Sequence, residues 1–225
     1  MKFIYYGQSC FGVEMGGKNI LFDPFISPNE LAKHIDLSTV KSDYILVSHG
    51  HPDHLADCET LAKQNGATVV AAFEVATWLN QQGVEKYHPM NTGGKWSFDF
   101  GTVKCTNALH SSALPDGSYG ANPMGFLVTG EKNFYYSGDT ALTMDMQLVP
   151  RWAKLDFAVL PIGDNFTMGY EDAIIAAELI QCRNIVGVHY DTFGYIKIDH
   201  EKVVKAFSDV GLNLFLPAIG ETIEL

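Results

Sequence analysis

Three histidines and an aspartate, His49, His51, Asp53 and His54, fall within the six residues HGHPDH. Imidazole nitrogen and carboxylate oxygen are common ligands of divalent metals. Side chains two apart in an extended segment point the same way, so His49 and His51 can converge on one ion. Pro52 then turns Asp53 and His54 toward a second position. A polar loop with no ligand role is the better reading of any single histidine, and a poor one for four ligand-type residues at this spacing.

More distant residues share the same local setting. His110 closes TVKCTNAL, Asp139 follows FYYSG and His189 closes NIVGV, each just past an expected strand, as His49 follows DYILVS. Strand ends in α/β architectures gather along one edge, where loops build sites. Such a set suits hydrolysis, because plain water attacks an amide, ester or phosphodiester poorly. Two cations about 3.5–4 Å apart can share a water, bring its pKa near neutral and stabilise the oxyanion that forms. The donors are all N or O, which suits Zn, Mn, Fe or Ni without choosing among them. Ligation needs neutral histidine and ionised aspartate, so metal affinity should fall as pH drops below the histidine range.

The elements that must position these residues read as short strands alternating with helices. Strands are expected at Lys2–Tyr6, Cys10–Met15 and Asn19–Phe22, with a hairpin at Gly16-Gly17, and then at DYILV and Val69–Ala72. Later strands are expected at Trp96–Phe100, Thr102–Leu109, Gly125–Val128, Phe134–Tyr136, Phe157–Leu160 and Asn184–Val188. Helical spacing appears from Leu55 to a stop at Gly66, in FEVATWLNQQ, over Glu171–Gln181 and over His200–Asp209. The pattern predicts a two-sheet α/β sandwich. Residues 1–225 are expected to form one domain of two halves, joined at the turn-rich PDGSYGANP near 115–123.

HGHPDH resembles the HxHxDH motif of the metallo-β-lactamase superfamily, and His110, the SGDT at 137–140 and His189 are similar to its later ligand positions. More narrowly, PIGDNFTMGYEDA and HYDTFGYIKID resemble a branch of small stand-alone metal-dependent hydrolases that also resembles ascorbate-phosphate lactonase. The resemblance implies a four-layer αβ/βα sandwich and two divalent metals, Zn or Mn first, with Ni or Fe as alternatives. It places one metal on His49, His51 and His110 and a second on Asp53, His54 and His189, with Asp139 bridging, and gives Asp53 and Asp139 catalytic roles. The implied activity is hydrolysis by a metal-bridging hydroxide of a small ester or lactone, phosphorylated ones included. Alternatives are a phosphodiesterase for small or lipid phosphodiesters, a metal-dependent redox protein, or a non-catalytic binding module on the same fold. Gln8 departs from the pattern: relatives often carry His in the GQSCF segment.

Asp23, in LFDPF, could hydrogen-bond a ligand histidine and fix its tautomer, or simply cap a turn ahead of Pro24. Asn165, after the strand DFAVL, could donate to an oxyanion, or belong to its loop alone. His34, His88 and His200 lack the strand-end setting and read as surface or helix residues. A formal charge of −11 with no Lys/Arg run argues against nucleic acid and leaves a small-molecule substrate as the expected partner. The four cysteines are scattered with no CxxC, and the chain opens on the strand-like KFIYY, which points to free thiols and a cytoplasmic protein. Apolar stretches are strand-sized, too short to span a membrane. A homo-oligomer is compatible with the sequence, but no coiled coil specifies one.

Overall fold

The computed structural model describes residues 1–225. In chain order the first half holds β1 (Lys2–Gly7), β2 (Cys10–Met15), β3 (Lys18–Phe22), β4 (Tyr44–Leu46), α1 (Pro52–Leu55), α2 (Cys58–Asn65), β5 (Thr68–Ala72), α3 (Phe73–Gln81) and β6 (Tyr87–Met90). The second holds β7 (Lys95–Phe98), β8 (Gly101–Asn107), β9 (Met124–Thr129), β10 (Phe134–Tyr136), α4 (Val149–Trp152), β11 (Phe157–Pro161), α5 (Tyr170–Leu179), β12 (Asn184–Val188), α6 (His200–Asp209), β13 (Asn213–Phe215) and β14 (Thr222–Glu224). Two seven-stranded sheets result, ordered β14-β1-β2-β3-β4-β5-β6 and β13-β12-β11-β10-β9-β8-β7.

Each half begins with antiparallel hairpins and continues with parallel strands. Gly16 and Gly17, both at positive φ (59° and 71°), make the tight turn that brings Met15 opposite Lys18. β1 and β2 bury alternate residues, whereas β5 and β11 are buried almost throughout, as expected of parallel strands covered on both faces. α2 and α3 pack on β4–β6, and α5 and α6 pack on β11 and β13. Between the sheets, Phe3, Phe11 and Phe22 of the first meet Phe126, Phe134, Tyr136 and Phe157 of the second, largely edge to face. The architecture is a four-layer αβ/βα sandwich.

Several sequence expectations shift. The chain crosses from one sheet to the other between Met90 and Lys95, not at 115–123; that stretch links β8 to β9 inside the second sheet. Its turn residues fold it back on itself, with Leu114 N–H donating to Ser118 O and Trp78 Nε1 donating to Asp116 Oδ2 at 2.9 Å. Thr102–Leu109 stops as a strand at Asn107, the last residue paired to β9. The strand β6 escapes a periodicity reading because it is short and carries Pro89, tolerated at the sheet edge. β13 and β14, three residues each at the opposite edges, carry too little pattern to see.

Candidate metal centre

The histidine cluster leaves β4 through Val47 and Ser48. His51 takes extended backbone (φ −65°, ψ 145°) and Pro52 opens α1, where its missing N–H costs nothing, so Asp53 and His54 turn inward on the first helical turn. His110 follows β8, Asp139 follows β10 across the positive-φ Gly138, and His189 directly follows β12. A Cβ on Gly138 would come within 2.8 Å of Met124 O and 3.1 Å of Ser48 Cβ, so the approach of the Asp139 segment to β4 requires glycine. Gln8, Asp23 and His189 all hold left-handed backbone, with φ of 53°, 42° and 57°. Such conformations cost about 1–3 kcal/mol each and cluster at functional sites.

The seven ligand-type residues converge in two groups, His49/His51/His110 and Asp53/His54/Asp139/His189; within each, one donor atom per residue lies within 4.8 Å of the others. In the first, His49 Nε2 and His51 Nδ1 face each other at 2.9 Å with no carboxylate between them. In the second, Asp139 Oδ2 lies 3.1 Å from His54 Nε2, 3.0 Å from His189 Nε2 and 3.8 Å from His110 Nε2, so it stands between the groups. Asp53 Oδ2 is 3.4 Å from His54 Nε2 and 3.7 Å from His189 Nε2.

Asp23 anchors the arrangement from beneath. Its Oδ2 accepts from Ser48 Oγ (2.6 Å), Tyr136 OH (2.5 Å) and His54 Nδ1 (2.8 Å), and its Oδ1 accepts from Ser48 N–H (2.7 Å). Burial and the charge of Asp23 push the Tyr136 phenol well above its usual pKa, which keeps it a donor. With Ser48 donating to Asp23, His49 Nδ1 (2.9 Å from Ser48 Oγ) must carry a proton, so His49 Nε2 turns a lone pair toward His51. Gln8 ties two ligand segments together: its Nε2 donates to Asp53 Oδ2 (2.9 Å) and its carbonyl accepts from His189 N–H (2.8 Å).

Charge divides the groups. Burial, helped by His54, holds His49 well below the usual histidine pKa, and burial likewise lowers His51 and His110. Burial also opposes a charge on His54 and His189, but Asp139 outweighs it, raising His54 well above the usual value and His189 to about 9. Burial opposes charge on Asp53 and Asp139 too, and the flanking histidines overcome it, keeping both ionised. His54 Nε2, His189 Nδ1 and Asp139 Oδ1 are buried without a hydrogen-bond partner. Orphaned buried donors and acceptors call for an occupant. Burial holds His49, His51 and His110 neutral, which leaves each a ring-nitrogen lone pair, and the donor set fits divalent cations.

Above the centre opens a cavity of about 700 Å³, lined by His51, Asp53, His110, Asp139 and His189 and walled by Ser111, Phe166, Thr192, Phe193, Gly194 and Tyr195. The walls were not singled out as site residues by sequence, although PIGDNFTMG and HYDTFGYIKID contain most of them. Asn165 stands outside the lining. Asp164 and Asn165 both take positive φ in a turn where Phe166 N–H donates to Asp164 O, and it is Phe166 that reaches the cavity. His34 bonds Ile219 O, His88 packs on Trp96 and Phe98, and His200 pairs with Asp191, all away from the centre.

Residues 18–190 match the beta-lactamase superfamily domain. The chain belongs to that superfamily. Along its full length this superfamily member is 55% identical to a UPF0173 metal-dependent hydrolase of Christiangramia forsetii, over 227 residues and the whole of both chains. Among solved structures it is similar to Igni18, a metallo hydrolase from Ignicoccus hospitalis, at 31% identity and a TM-score of 0.88 over 99% of this chain and 97% of that one. The fold alone is shared with an isothiocyanate hydrolase from Delia radicum gut bacteria, at 18% identity and a TM-score of 0.80, covering 100% of this chain and 99% of that one. The superfamily member is a metal-dependent hydrolase. No helix in it is long and apolar enough to cross a membrane.

Proposed function

We propose that this hydrolase cleaves small, uncharged carboxylic esters or lactones carrying an aromatic or apolar group. The lining of the cavity carries this reading: it includes Phe166, Phe193 and Tyr195 and no Lys or Arg. Beyond the cations themselves, phosphoryl substrates usually meet Arg or Lys, and none lines this cavity. Phe166 meets Tyr195 edge to face at 6.2 Å, Phe193 packs toward Phe25 at 6.4 Å, and the three rim residues are 48%, 38% and 79% exposed. Exposed aromatics grouped at a cavity mouth are the mark of a binding surface.

In this reading His49, His51 and His110 hold one divalent cation, Asp53, His54 and His189 a second, and Asp139 faces both. When bound, the cation pair supplies Lewis acidity and lowers the pKa of water. The chain does the rest. Ser48 and Asp23 fix the tautomers of His49 and His54. Asp53, bordering the cavity and held ionised, is placed to take the proton of the attacking water and pass it to the departing oxygen. The aromatic rim seats the substrate and sheds water from the reacting centre.

The test compares metal-loaded protein on a para-nitrophenyl ester, an aryl-substituted lactone, a phosphorylated ester and bis-para-nitrophenyl phosphate. Preference for the uncharged esters by kcat/KM supports the proposal, and preference for either phosphate sinks it. Phe166→Ala and Tyr195→Ala are expected to raise KM for the aromatic ester by about 10-fold with kcat little changed, because uniform binding is lost. A fall in kcat at constant KM would remove them from substrate seating.

Metal uptake should report the charge division. At pH 7 the metal-free chain holds protons on His54 and His189, whose pKa values are raised, while His49, His51 and His110 are already neutral. A cation entering the second group must displace those protons, so its affinity rises with pH, the His189 contribution levelling off above about 9. Calorimetry in two buffers of different ionisation enthalpy should find one uptake phase that releases protons and one that does not. Two phases with equal release would contradict the assignment.

A further inference from the structure

The outer face of β7–β9 is not among the strands that α5 and α6 cover, and it bears a second cavity of about 690 Å³. Lys95, Lys104, Arg151 and Trp152 line it, with Thr102, Thr129, Leu127 and Gly93 completing the wall. Lys95 and Lys104 are directly opposite each other in the β7–β8 register. Like charges so placed repel and cost stability unless an anion lies between them. None of the three cations takes part in an ion pair, although the chain carries 26 acidic residues against 15 basic. Lys104 donates to Gly93 O (3.2 Å) and lies 4.5 Å from the centroid of the Trp152 ring. Asp145, in the adjoining hollow, is bound to Asn107 Nδ2 at 2.9 Å.

We propose that this face is a second binding site, for a phosphomonoester with a flat apolar portion. Arg151 and the two ammonium groups match the phosphoryl dianion, the hydroxyls of Thr102 and Thr129 offer further donors, and the half-exposed Trp152 supplies the platform for the apolar part. The two cavities have no lining residue in common, so occupancy here is expected not to need the metal centre.

Phenyl phosphate, titrated at constant ionic strength and followed by tryptophan fluorescence and thermal shift, tests the site. Saturable binding with a Kd of about 1 mM or tighter, weakened about tenfold in Lys104→Thr and in Arg151→Gln and unchanged in His110→Ala, is the expected result. Both variants sit on the surface and should retain the wild-type fold, with Lys104→Thr no less stable than wild type when phosphate is absent. Sedimentation with phosphatidic-acid vesicles separates two sources of the same chemistry: co-sedimentation that the variants abolish assigns the phosphate to a lipid headgroup. Phenyl phosphate binding without co-sedimentation assigns it to a soluble metabolite, and either supports the site. No saturable binding to either probe, or binding that survives both variants and disappears in His110→Ala, overturns the proposal.

Discussion

Asp139→Ala is expected to cut kcat/KM on any hydrolysed ester by on the order of 10³-fold or more, with the folded state retained. The carboxylate is 2% exposed, reaches His54, His189 and His110 through Oδ2, and leaves Oδ1 without a protein partner. It is the one carboxylate within 4 Å of histidines from both groups, so its loss removes the negative charge that they share. Folding should survive because Asp139 is the strongest of the charges that hold His54 and His189 protonated in the metal-free chain, ahead of Asp53. Without it the two imidazoles return toward neutrality, and no buried cation is stranded. Asp139→Asn preserves shape and removes only charge, so it should lose nearly as much activity. Steady-state kinetics with circular dichroism on both variants checks this. An asparagine variant within about tenfold of wild type would show that the charge of Asp139 is dispensable.

Asp23→Ala carries the largest expected cost in stability, about 3–5 kcal/mol. One oxygen of this fully buried carboxylate receives Ser48, Tyr136 and His54, and removing it leaves three buried donors unsatisfied at once. Asp23→Asn substitutes only in part, since with its oxygen at the Oδ2 position the amide nitrogen confronts the Ser48 N–H, and turned the other way it confronts three donors with a fourth. Chemical denaturation of the metal-free variants measures the loss directly. Metal affinity should fall about 10–100-fold besides, because His49 and His54 lose the chain of hydrogen bonds that sets their tautomers. Wild-type stability in either variant would mean that the Ser48–Asp23–Tyr136 cluster bears little weight.

The sequence made the ligand types legible because each sits directly after a strand whose apolar run is itself visible. His49, Asp139 and His189 follow DYILVS, FYYSG and NIVGV, and strand ends in this architecture share an edge. Their grouping was not readable from periodicity: that Asp139 stands between the two groups and nearer the second depends on how the sheets face each other. The cavity wall was less legible still. Phe166, Phe193 and Tyr195 lie on loops after β11 and β12, where hydrophobic pattern carries no information about direction. Asn165 could be read as an oxyanion donor or as a plain loop residue, and with Asp164 and Asn165 both in left-handed backbone it is Phe166 that lines the cavity. The junction of the halves was misplaced for a related reason. PDGSYGANP has the composition of a linker, yet it is pinned over the HGH turn, where Ser112 Oγ accepts from Gly50 N–H (3.0 Å) and donates to Gly120 O (2.6 Å).

Each of the two groups of side chains is expected to hold one divalent cation. Elemental analysis of protein purified without chelator, for wild type, His110→Ala and His189→Ala side by side, counts them. About two metals per chain are expected in wild type and about one in each variant, lost from different groups. A wild-type chain that is metal-free as purified, and stays so after incubation with Zn or Mn, would contradict this expectation.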